Sequence, residues 1–252
     1  MKKLNTLFLI LTLSTGCSQE IVSSKYAESI NSNDLEDLLS VYSSDGFEGR
    51  QTGTKGDRTA ANFLRDFYIS NKIGPALNTI DYFQPYQLNL PGKMYTFNYS
   101  FPSTLRGYDR YAQGDNFVDT QNVASVIEGE IYPESYLIIT GHLDHVGING
   151  DEVYNGADDN GSGTVSILEI AQAFQEAVED GVRPKRSVVF LHVSGEEEGL
   201  LGSEYYVNNS LYPLENTFAT LNLDMIGRTD PNRGYEDEDY VYSIGSDRIS
   251  KE

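Results

Sequence analysis

One cysteine, three histidines and 18 lysines and arginines are spread through the 252 residues of this chain. The single cysteine, Cys17, permits no disulfide within the chain, so a fold of this length has to rely on its core. Basic residues are outnumbered by 38 acidic ones, for a formal net charge of −20. Such a surface repels nucleic acid and anionic membranes and suits small or peptidic substrates. Long apolar runs are missing as well. The run from Leu4 to Leu13 falls far short of the about 20 residues that a transmembrane helix needs. Preceded by Met1-Lys2-Lys3 and followed by Ser14-Thr15-Gly16, it reads as the core of a signal peptide over residues 1–16. Cys17 is then the lipid-modified first residue of an exported lipoprotein of the bacterial cell envelope, in the outer membrane or periplasm. Ser14 stands where such signals usually carry an aliphatic residue, so an ordinary secretory signal is the alternative. Cleavage there removes Lys2 and Lys3 and no acid, moving the formal charge from −20 to −22. The membrane is then reached only through a lipid anchor, and nothing in the chain specifies an oligomer.

Residues 17–31 read as a polar tether, leaving 32–252 for one domain. The spacing of Leu35, Leu38, Leu39 and Tyr42 predicts a helix over 33–42, capped by Ser32 or Asn33. A Gly-rich loop, DGFEGRQTGTKG, leads into a second helix with Ala60, Phe63, Leu64 and Phe67 on one face. Alternation around Pro85 and Pro91 predicts short antiparallel strands between residues 80 and 100. Residues 123–127 and 136–140 are expected to be adjacent strands. A clear helix follows over 161–180, then a strand over 187–193, a short helix over 200–208, and strands over 220–224 and 240–244. Strands alternating with helices from Val123 onward imply an α/β fold, a three-layer sandwich whose mixed, centrally parallel sheet is flanked by helices. The acidic run 236–239 reads as a solvated face rather than a calcium site.

Four apolar runs break into loops bearing His, Asp or Glu: YLIITGHLDH, NGADDNGSG, SVVFLHVSGEEEG and TLNLDMIGR. Acids placed just beyond strand ends converge in one crevice of an open α/β sheet. One imidazole among several carboxylates is a donor set that zinc accepts. Asp144, two residues from His142, is placed to orient that imidazole through its second ring nitrogen, although HLDH alone is equally compatible with two polar loop residues. Asp158-Asp159 alone would pass for an Asx turn, and Glu196-Glu197-Glu198 for a charged loop. Their positions after buried runs, and the cost of burying a lone Asp224, argue for a shared cation.

Together these segments resemble the co-catalytic zinc exopeptidases that include bacterial leucyl aminopeptidase, aminopeptidase Y and glutamate carboxypeptidase. The match runs from about Asp45 to Ile249. The resemblance implies that His142, Asp159 and Asp224 hold one zinc. Asp159 would bridge to a second zinc that Glu197 also binds, with Glu196 as general base, Asp144 orienting His142, and a cis peptide between Asp159 and Asn160. It implies a peptide substrate.

The resemblance also supplies the second zinc with a histidine from a loop well after LNLDM, and here none follows Asp224. His192 lies within a strand and is expected to belong to the core or to support the site from behind. His145 is expected to be tied too closely to His142 to reach across. The chain ends where a helix is expected to begin after the 240–244 strand, so the family fold is expected to continue past Glu252. Two alternatives to an aminopeptidase stand beside it: a truncated lipoprotein with one zinc and little activity, and a glutaminyl-peptide cyclase.

Overall fold

The computed structural model describes residues 25–89, 96–98, 117–230, 232–233 and 240–245. The apolar run 4–13, Cys17, most of the expected tether, part of the 80–100 stretch, the acidic run 236–239 and the helix expected at the chain's end lie outside them. Residues 25–31, read as tether, are docked. Lys25 Nζ lies 2.5 Å from Asp180 Oδ2, and the Tyr26 hydroxyl donates to the same oxygen at 3.0 Å. Tyr26, Ala27 and Ile30 line an apolar hollow with Ile170, Phe174 and Ala177, which is why a stretch of mainly polar residues settles there.

Helix α1, Ser32–Tyr42, starts one residue early because Asn31 is its cap, accepting from the amides of Asn33 and Asp34 at 3.1 Å each. A tight turn, Asp45–Arg50, leads to α2, Lys55–Ser70. Helix α3, Gly163–Glu179, begins two residues later than expected because the Ala157–Ser162 turn intervenes. Helix α4 is Leu201–Asn208.

The strands are β1 (Gly74–Pro75), β2 (Phe83–Asn89), β3 (Thr96–Asn98), β4 (Phe117–Ile127), β5 (Tyr132–His142), β6 (Gly147–Asn149), β7 (Glu152–Tyr154), β8 (Arg186–Val193) and β9 (Thr217–Asn222). β6 and β7 form a separate hairpin. The others make one sheet in the order β3-β2-β4-β8-β5-β9, with β1 beside β4. β8, β5 and β9 run parallel, while β4 is antiparallel to β8 and to β2.

Two strand expectations fail. The 123–127 and 136–140 segments are not neighbours, because β8 returns through α3 and inserts between them. Its residues from Ser187 to Val193 are all buried, which an interior strand alone allows. Residues 240–244 form no strand; Val241 and Ile244 are exposed, and no described strand pairs with them.

Side chains alternate across the sheet and build two cores. Val188 and Phe190 face α1, α2 and α3, with Leu64, Tyr68, Ile167 and Leu168, whereas Val189, Leu191 and Val193 face Tyr206, Leu211 and Tyr212. This is the expected sandwich of helices, sheet and helix. His192 is fully buried with Nε2 2.7 Å from the Tyr68 hydroxyl, and burial lowers its pKa to about 3. It is a neutral core residue, one position before the end of β8 but bonded to α2 and in neither group of close ligand atoms.

One buried acid ties α2 to the sheet. Asp57 Oδ1 is 2.9 Å from Ser194 Oγ, Asp57 Oδ2 is 2.7 Å from Thr120 Oγ1, and the two hydroxyl oxygens are 2.9 Å apart. Three links close a ring, and two hydroxyls supply only two protons, so a protonated Asp57 completes it. Burial agrees, pushing the carboxyl up to about 7 against the pull of its hydrogen bonds. The folded pKa exceeds the unfolded one, so the folded state holds an extra proton between about pH 4 and 7, and stability falls as pH rises through that window. Asp57→Asn, whose amide supplies the third proton, is expected to keep the fold and flatten that slope, whereas Asp57→Ala is expected to cost about 2–4 kcal/mol. Urea unfolding at pH 5 and 8 checks both, and an unchanged slope in Asp57→Asn would count against the protonated acid.

Candidate metal centre

Because β5, β8 and β9 are parallel, their carboxyl ends share one edge of the sheet, and the chain leaves each end into a ligand-bearing loop. His142 closes β5, Glu196 and Glu197 follow β8 by three and four residues, and Asp224 follows β9 by two. Asp159 comes from the turn before α3. His142 Nε2 lies 3.1 Å from Asp159 Oδ1, 3.7 Å from Asp224 Oδ1 and 4.0 Å from Glu196 Oε2. Ligand atoms of His142, Asp159 and Asp224 all fall within 4.8 Å of one another. A mixed imidazole and carboxylate set at that spacing fits zinc. Burial disfavours the His142 cation, but the carboxylates of Asp144 and Asp224 outweigh it and hold the ring's pKa at about 10.

The turn holding Asp159 is sewn to the loop holding Asp224. Asn160 Nδ2 donates to the Leu223 carbonyl at 2.9 Å, and Asn160 Oδ1 accepts from the amides of Gly163 at 3.1 Å and Met225 at 3.3 Å. Ser162 Oγ accepts from the Ile226 amide, and Asp158 Oδ1 from the Gly227 amide. The Asp159–Asn160 peptide is cis. Asp158 therefore ties this turn to the loop after β9, while Asp159 faces the imidazole.

Asp144 differs from the expectation in how it acts. The hydrogen-bond partner of His142 Nδ1 is the Asp144 backbone carbonyl, at 3.1 Å, with the nearest carboxylate oxygen at 3.7 Å. That carboxylate, fully buried, instead accepts from the amides of Glu196 and Glu197 at 3.1 and 3.2 Å and from the Thr52 hydroxyl at 3.0 Å. It fixes the loop carrying both glutamates. Burial raises the pKa of Glu196, as do the charges of Asp144, Glu197 and Asp224, with His142 opposing them.

His145 also departs from expectation. Its Nδ1 lies 2.6 Å from Glu197 Oε1, because the chain turns back after β5 and its amide bonds the Arg50 carbonyl.

Sequence reading missed the framework around these residues. Arg50, Thr52, Asn160 and Ser162 lie inside the quoted motifs, and their only signal was polar side chains between glycines, where side-chain to backbone bonding is common.

Residues 122–250, just over half the chain, match Peptidase family M28. The chain is 42% identical over 105 residues to leupeptin-inactivating enzyme 1 of Streptomyces exfoliatus, covering 41% of this chain and 22% of that protein. It is 31% identical over 123 residues to a probable zinc metalloprotease of Pyricularia oryzae, covering 48% of this chain and 24% of that one. The match thus spans about a quarter or less of these curated relatives. Among solved structures, an aminopeptidase from Aneurinibacillus sp. strain AM-1 aligns with TM-score 0.58 at 13% identity, covering 81% of this chain and 73% of that one. The LapA aminopeptidase of Legionella pneumophila aligns with TM-score 0.52 at 20% identity, covering 82% and 46%. At these identities the likeness carries the fold. The sequence matches favour a peptidase over the cyclase. The chain belongs to Peptidase family M28.

Proposed function

We propose that this chain carries the catalytic domain of an aminopeptidase, which removes N-terminal residues from peptides. The observation that carries the reading is the meeting of His142, Asp159 and Asp224 at the carboxyl ends of three parallel strands. These three would hold one zinc, with Asp159 shared toward Glu197 and a second. Bound zinc would supply Lewis acidity for attack of water on the peptide carbonyl. Glu196, beside that cluster and partly buried, takes a proton from the attacking water and returns it to the leaving amine. Asp144 acts as a positioning residue, holding the Glu196 and Glu197 amides. Partly exposed carboxylates at the mouth favour a cationic group on the substrate, which the free α-amine supplies and an acetylated N-terminus does not. The names of the structural relatives point the same way.

Hydrolysis of leucine p-nitroanilide, its loss on chelation and its return with zinc test the reading, and activity indifferent to chelation would sink it. Activity on the acetylated substrate equal to that on the free amine would argue against an aminopeptidase. The proposal includes export and lipid attachment at Cys17. In the same assay on fractionated cells, Cys17→Ser is expected to move activity from the membrane to the soluble fraction.

A further inference from the structure

We propose that His145 is a ligand of the second metal position, completing it with Asp159 and Glu197. The inference rests on the peptidase reading, and it departs from the resemblance, which brings the histidine for that position from a loop after LNLDM. Ligand atoms of His145, Asp159 and Glu197 lie within 4.8 Å of one another, as those of His142, Asp159 and Asp224 do. Asp159 alone belongs to both groups, and it stands between them as a bridging carboxylate must.

A hydrogen-bonded His145–Glu197 pair would account for the 2.6 Å contact but not for Asp159 as its third member. Each carrier is fixed at its backbone. The His145 amide donates to the Arg50 carbonyl at 3.3 Å, and the Glu197 amide to Asp144 Oδ2 at 3.2 Å. The Asp159 turn is shaped around the ring. At Gly156, where φ is +52°, an added Cβ would come within 2.5 Å of the His145 imidazole, so only glycine lets that turn rise beside it. The two imidazoles enter from one loop but through different nitrogens, Nε2 of His142 and Nδ1 of His145.

That asymmetry makes the proposal testable on the unaltered protein. The full chain, labelled with nitrogen-15 histidine and loaded with cadmium-113, has only three histidines to resolve. Metal coupling is expected at two of them, one through Nε2 and one through Nδ1, with the buried His192 uncoupled. Zinc per chain is expected to fall from about two to about one in His145→Gln, with the Nε2 coupling retained. Absence of the Nδ1 coupling overturns the proposal, whatever the metal content, and so does unchanged zinc in a folded His145→Gln. Chelator-sensitive hydrolysis without the Nδ1 coupling removes this ligand and leaves the peptidase reading standing. Both couplings without hydrolysis do the reverse.

Discussion

Glu196→Gln is expected to lower kcat by about 10²- to 10⁴-fold, the usual contribution of a positioned general base, while zinc content stays at the wild-type level. The amide replaces the carboxylate at nearly constant size, and the backbone amide of residue 196 still bonds Asp144 Oδ1. What disappears is the ability to accept a proton. Zinc is retained because Glu196 belongs to neither group of mutually close ligand atoms, its Oε2 lying 4.0 Å from His142 Nε2. KM is expected to change little, since the loss falls on the transition state rather than on substrate binding. Steady-state kinetics on leucine p-nitroanilide and metal analysis of the same sample provide the check. Should the variant keep more than about a tenth of wild-type kcat, another group must be the base.

The second large effect is expected at Arg50, a side chain with no exposed surface. Its guanidinium is spent on backbone carbonyls. Nε donates to Leu143 at 3.0 Å, Nη1 to Tyr42 at 3.2 Å and Asn155 at 2.7 Å, and Nη2 to Gly156 at 2.8 Å. The group also lies 4.6 Å from the centroid of the Tyr42 ring. Leu143 belongs to the loop of His142 and His145, and Asn155 and Gly156 to the turn of Asp159, so one planar cation braces both halves of the metal centre.

Burial lowers the Arg50 pKa, with Asp144, Asp159 and Glu197 acting against it through their charge. The guanidinium remains charged all the same. A lysine has a single nitrogen and cannot reach four carbonyls at once. Arg50→Lys and Arg50→Met are therefore expected to destabilise the protein by about 3–5 kcal/mol, through carbonyls left without donors. Zinc affinity should fall as well, because the two ligand loops lose their common support. Urea unfolding and zinc titration measure the two effects separately. Wild-type values for both in Arg50→Lys would show that the brace is dispensable.

The sequence made the chemistry legible more readily than its scaffold. The motif acids and His142 stand out because polar residues at the ends of buried strands need a reason to be there. Arg50 was hidden, since an arginine in a Gly-rich loop normally faces water. Asp57 was hidden too, as a carboxyl near the start of a helix suggests a surface position, and only the partners Thr120 and Ser194 reveal it as a buried acid. The role of Asp144 was half visible. Its nearness to His142 in the chain suggested a link to that ring, but the glutamate amides that take up its carboxylate lie 52 and 53 residues away.

Local pattern by itself determined the mixed α/β architecture and the four ligand-bearing loops, while the resemblance singled out His142, Asp159, Glu197 and Asp224 as members of one candidate centre. Side-chain periodicity and strand-end acids are properties of short segments. Tertiary structure decided that β8 lies between β4 and β5, that His145 turns toward Glu197, and that Arg50 and Asp57 are buried. Those outcomes depend on which distant backbone groups and hydroxyls come within bonding distance once the sheet closes, and spacing along the chain carries no record of that.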